Sequence, residues 1–129
     1  MDLKSYMEPN VIMKQGRLKL VPAEKKHIIP LAETLSEENI FELSLFDRTP
    51  IDFFMEFVEK DDVYVVEKDY VPLAITGVEA DGPQTGLMWA MFAKDMQKNW
   101  YSFLKASPNL VEFMHGNYYK LNMNILESN

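Results

Sequence analysis

The sequence predicts a mixed α/β (α+β) domain built in layers, and three observations predict it. Of its 129 residues, 47% are apolar and 12% aromatic, enough to bury the core of one ordinary domain. Apolar residues recur at helical spacing between positions 28 and 58 and again between 100 and 114. Between 63 and 93 the pattern changes to that of strands, and alternation returns near 119–126. The implied order, β-α-α-α-β-β-β-α-(α)-β, gives a mixed central sheet with helices on both faces.

Residues 1–10 read as an arm ending near Pro9, and 11–129 as a single domain. Arg17 to Val21 alternates and reads as the first strand. Ile28, Leu31 and Leu35 set a first helix, in which Pro30 sits early or ends it. Ser36 is an N-cap, followed by Glu37 and Glu38 near the positive helix end. Ile40, Leu43 and Phe46 form the expected buried stripe of this second helix, with Phe41 and Leu45 beside it, and the helix ends near Asp47. Thr49-Pro50 opens a third helix, with Asp52 placed to reach back to the cap. Its buried stripe is Ile51, Phe54, Phe57 and Val58, widened by Phe53 and Met55.

Residues 63–68, 71–78 and 86–93 read as three strands. Asp69-Tyr70 is a tight turn, and 79–86, with Asp81-Gly82-Pro83, is a loop. The strand 86–93 is apolar on both faces, so it belongs inside the sheet with Trp89 packed against a helix. Trp100, Phe103 and Leu104 mark the next helix. Ser107-Pro108 either kinks it or starts another, which Gly116 stops. In the closing strand Leu121, Met123 and Ile125 share one face.

The net charge of −7 and the absence of a basic run argue against nucleic-acid binding. With no cysteine there is no disulfide, thiolate metal site or cysteine nucleophile. No stretch reaches the roughly 18 apolar residues of a membrane span.

The segments "VPLAITGVEADGPQTGLMWAMFAKDM" and "FLKASPNLVEFMHGNYYKLNMNI" resemble the phage GNAT-like proteins grouped with internal virion protein A of short-tailed phages. The residues that carry this are Pro72, Ala74, Ile75, Gly77, Gly86, Trp89, Phe103, Leu104, Ala106, Ser107, Leu121 and Asn122. The resemblance implies a GNAT acetyltransferase fold lacking its last strands. It also implies a virion-associated or DNA-ejection-related role through protein–protein contacts, in the virion or the host cytoplasm, with no cofactor.

Acetyltransferases of this fold hold the coenzyme A pyrophosphate on a glycine-bearing loop between central strand and helix. Here that segment is Lys94-Asp95-Met96-Gln97-Lys98-Asn99, without glycine. Loss of acetyl transfer is therefore the first expectation, with no catalytic residue assigned. The alternative is an N-acetyltransferase binding acetyl-CoA through the backbone of Met91, Phe92 and Ala93 together with Lys94, Gln97, Lys98 and Asn99. A third reading is a small acidic host-takeover protein that binds a basic host factor.

Other candidates read more simply. His27 and His115 suit a surface or a helix end better than a metal site. Glu79 is a candidate general base, though a loop carboxylate is the plainer reading. Asp61-Asp62 and Glu37-Glu38 are solvated helix ends, and no metal is expected. Phe46, Phe53, Met55 and Met96 are the apolar residues to inspect for exposure. Residues 119–129, expected to keep an uncovered edge, are the expected contact with another virion protein or a second copy.

Overall fold

A short hairpin opens the domain. The computed structural model describes residues 10–60, 62–80, 82–116 and 120–124. Strands β1 (Met13–Gln15) and β2 (Leu18–Pro22) pair antiparallel across Gly16-Arg17, with Gly16 at φ 58°. The sequence shows one strand here, Arg17–Val21. A three-residue strand is too short to display alternation, so β1 escapes that reading.

The sheet has six strands in the order β1-β2-β3-β4-β5-β6. The remaining four are β3 (Val63–Lys68), β4 (Val71–Ala80), β5 (Thr85–Phe92) and β6 (Lys120–Asn124). Neighbours through β5 are antiparallel, and β6 runs parallel to β5 from Thr85↔Lys120 to Trp89↔Asn124. Asp69 and Tyr70 both take positive φ, 51° and 67°, the conformation that a two-residue hairpin turn demands. β4 runs on to Ala80 and β5 starts at Thr85, so the expected 79–86 loop is shorter than its sequence suggests.

A 3-10 turn, Lys25–His27, feeds helix α1 (Ile28–Thr34), whose first turn accommodates Pro30. Helix α2 (Glu37–Ser44) is capped by Ser36, whose hydroxyl accepts the Asn39 amide. Helix α3 (Pro50–Val58) is capped by Thr49, which accepts the Asp52 amide at 3.2 Å. Helix α4 (Trp100–His115) follows a second 3-10 turn, Lys94–Asn99, where the sequence reads as a loop. Pro108 lies inside α4 without ending it. Proline removes the N–H that would have bonded Leu104, and the Ser107 hydroxyl donates to that carbonyl instead, at 2.8 Å.

Helices α1 to α3 cover one face of the sheet and α4 the other, as the fold class requires. Leu31, Leu35 and Phe54 pack with Val65, Ile75 and Trp89 on the first face. Leu110, Met114 and Met96 pack with Leu20, Val66 and Met88 on the second. β5 is thus interior and covered twice, as predicted.

Several apolar residues sit where the pattern did not place them. α2 meets the core along Asn39 and Leu43, one turn apart, so Ile40, Phe41, Leu45 and Phe46 are exposed. Ile51 and Met55 are also exposed, Phe53 is half-buried, and Met96 is buried. His27 is a correction as well: it is 2% exposed, not a surface residue. Its Nδ1 accepts the Glu24 amide at 3.0 Å and its Nε2 lies 3.1 Å from Oε2 of buried Glu67. Both ring nitrogens are satisfied, which is the condition for burying an imidazole.

Among the described residues no helix is long and apolar enough to cross a membrane, and no cluster of three or more His, Asp or Glu could hold a metal ion. The arm 1–9, the side chains of Leu121 and Met123, and the end of the proposed contact segment 119–129 lie outside the described residues.

Candidate functional site

The site is organised by the end of β5, where chain polarity decides which groups are free. Along a paired strand, successive N–H and C=O groups alternate between the two flanks. The Ala93 amide donates to the Leu73 carbonyl at 2.8 Å, so the polar groups of Phe92 project to the flank away from β4. Both are engaged there. The Phe92 amide donates to Asn39 Oδ1 at 3.0 Å, and its carbonyl accepts the Ser36 amide at 2.9 Å. Leu35 and Ala93 add a single antiparallel bridge. The junction of α1 and α2 is therefore tied to the end of β5 through buried Asn39, whose Oδ1 also accepts the Ser36 hydroxyl. Sequence reasoning missed Asn39. Its one signal is a short polar side chain inside a helix, a position that favours residues already bonded to backbone.

Met91, Phe92, Ala93, Lys94, Gln97, Lys98 and Asn99 form one continuous line from β5 through the turn to the start of α4. Met91 and Ala93 are buried, Phe92 half-buried, and Lys94, Gln97 and Lys98 exposed. The turn closes on itself: Met96 donates to the Ala93 carbonyl, and its side chain anchors the turn in the core. Asn99 accepts from Lys68 at 2.9 Å and donates to the Asp95 carbonyl at 3.0 Å. A backbone anion nest needs a left-handed residue, and no residue from 94 to 99 has positive φ. Side chains and the start of α4, whose first turn carries no acid, are what this turn offers an anion.

On the first face a cavity of about 310 Å³ opens between α2, α3 and the ends of β4 and β5. Phe46, Phe53, Phe57, Trp89 and Met91 supply its apolar walls, and Glu42, Arg48 and Glu79 its polar ones. The Trp89 ring meets Phe53 and Phe57 edge-on, with centroids 5.5 and 5.0 Å away. It lies on Gly77, where a Cβ would come within 2.8 Å of the indole. Trp89 Nε1 is buried with no hydrogen-bond partner among the described residues.

The charges at the mouth are unevenly satisfied. Glu56 pairs with both Arg48 and Lys60, and Lys60 lies 3.5 Å from Glu79. Glu42 receives a long hydrogen bond, 3.4 Å, from the Asn39 side chain and has no ion pair among the described residues. Glu79, a candidate base in the sequence, thus does reach the cavity, joined by Glu42. His27 is committed to Glu67, and His115 sits exposed at the end of α4. Glu37 and Glu38 begin α2, and Asp62 occupies a turn at φ 61°.

No family model matches this sequence, and no curated protein is similar to it in sequence. Solved structures are similar in fold. An aminoglycoside N-acetyltransferase in complex with CoA superposes with TM-score 0.56 at 8% identity, over 92% of this chain and 84% of the other. An integron cassette protein from the mobile metagenome of V. cholerae gives TM-score 0.50 at 14% identity, over 88% and 78%. A GNAT-family acetyltransferase from Bacillus anthracis gives 0.48 at 12% identity, over 78% and 68%. The chain has a GNAT-like fold.

Proposed function

We propose that this chain is an N-acetyltransferase drawing on acetyl-CoA, with the donor along the end of β5 and the amine acceptor in the cavity. The observation that carries this reading is one of continuity. Met91 lines the cavity, and only three residues later Lys94 opens the basic turn. A donor lying along this line would bring its acyl carbon to the cavity and its phosphates to Lys94, Lys98 and the start of α4. The fold is also that of an acetyltransferase solved with CoA bound, which supports a CoA thioester as donor.

Without glycine, the phosphates would be held by lysine ammonium groups as point charges rather than by converging amides. In the transfer, the amine nitrogen attacks the thioester carbonyl carbon. The C–N bond forms, the C–S bond breaks, and CoA leaves as its thiolate. The proton lost by the amine passes to a carboxylate, and Glu42 and Glu79 are the two that face the cavity.

Calorimetry with acetyl-CoA and CoA tests the donor site. The reading expects binding of both, weakened about tenfold by Lys94→Ala combined with Lys98→Ala, a loss typical of one charge-assisted contact. No heat with either ligand would overturn it. A second reading, action by protein contact without transfer, is favoured by one observation: both polar groups of Phe92 are already bonded to the α1–α2 junction. Under that reading the chain belongs in a phage particle, and mass spectrometry of purified particles would find it there.

A further inference from the structure

We infer that the cavity takes a primary amine carried on an aromatic or similarly flat apolar body. The inference names the acceptor class of the proposed transferase and rests on that reading for its catalytic meaning, but not for binding. Four aromatic rings, Phe46, Phe53, Phe57 and Trp89, line one space of about 310 Å³, within the size range of small-molecule pockets. Phe46 is 72% exposed although it lines the cavity, so an apolar body seated there would remove its ring from water.

Charge sets the other half of the ligand. Glu42, Glu56 and Glu79 face Arg48 and Lys60, and these two cations are both paired, with Glu56 between them and Glu79 beside Lys60. Glu42 is left for a ligand ammonium. The same rings already accept cations: Arg48 sits over Phe53 at 5.8 Å and Lys60 over Phe57 at 4.3 Å. Trp89 Nε1, buried and unpartnered, leaves one donor for an oxygen on the ligand body. A polyhydroxylated amine such as an aminoglycoside fits poorly, because hydroxyl groups against these walls would lose water without finding partners.

The test follows the indole N–H resonance of Trp89 in the full chain, assigned with Trp100→Phe, without acetyl-CoA. Phenethylamine, phenylpropanoate and an aminoglycoside are titrated in turn. Phenethylamine should shift the Trp89 signal to saturation, at least tenfold more tightly than the other two. Glu42→Gln should weaken phenethylamine about tenfold, a loss of one charged contact, and leave phenylpropanoate and the melting temperature unchanged. Equal binding of amine and acid, tighter binding of the aminoglycoside, or no shift of Trp89 would overturn the inference. Amine binding with no CoA binding would overturn the transferase and leave this site standing. CoA binding with no amine binding would do the reverse.

Discussion

The two sides of the β5 exit are finished differently. Toward α2 and α3 the chain leaves a cavity walled by rings, with Glu42 uncommitted and Trp89 Nε1 unpartnered. Along Phe92 to Asn99 it closes its own polar groups: Asn39 and Ser36 take those of Phe92, and the 3-10 turn folds back on Ala93. Losing glycine from the turn therefore does more than lower flexibility. It moves the capacity to hold a donor from backbone amides to side chains, while the acceptor side keeps its space. The comparison predicts that changes on the cavity side cost stability and amine binding together, whereas those on the turn cost donor affinity alone.

The largest effect should come from Trp89→Ala, which removes the ring at the centre of the first-face core. The loss should be about 3–5 kcal/mol by chemical denaturation, as for other buried aromatic truncations, with loss of amine binding. A variant as stable as the parent would remove Trp89 from the core. Gly77→Ala approaches the same ring from below. Its Cβ would stand 2.8 Å from the indole, so the ring must move. A cost of about 1–3 kcal/mol is expected for such overpacking, and amine affinity should fall with it.

Asn39→Ala separates the two sides. It leaves a buried Phe92 N–H without its acceptor, which should cost about 1–3 kcal/mol. CoA affinity should nonetheless hold, because the donor is gripped at Lys94 and Lys98. A tenfold loss of CoA affinity would place Asn39 in the donor site itself. The smallest effect on stability belongs to Lys94→Ala, which should stay within about 0.5 kcal/mol of the parent. Its CoA affinity should drop most at low salt, where charge attraction is least screened.

The parts of this molecule that could be read from sequence are those fixed locally. The strands 63–68 and 86–93, the Asp69-Tyr70 turn, and the caps Ser36 and Thr49 all declare themselves within a few residues. The missing glycine in 94–99 was equally plain, though the 3-10 form of that turn was not. The misread parts depend on distant partners. His27 is buried because Glu67 waits 40 residues away, and Asn39 because it meets Phe92 across 53. In α2 the apolar residues announce a helix, but only the approach of the sheet decides that Leu43 is buried while Phe46 opens onto the cavity. The cavity itself could not be read, since its walls come from α2, α3, β4 and β5 at once.

The most direct measurement is an amide-shift titration of isotope-labelled protein with acetyl-CoA. The account predicts saturable shifts concentrated from Met91 to Asn99 and into the first turn of α4, diminished when Lys94 and Lys98 are both alanine. A spectrum in which that stretch stays still at ligand excess would contradict it.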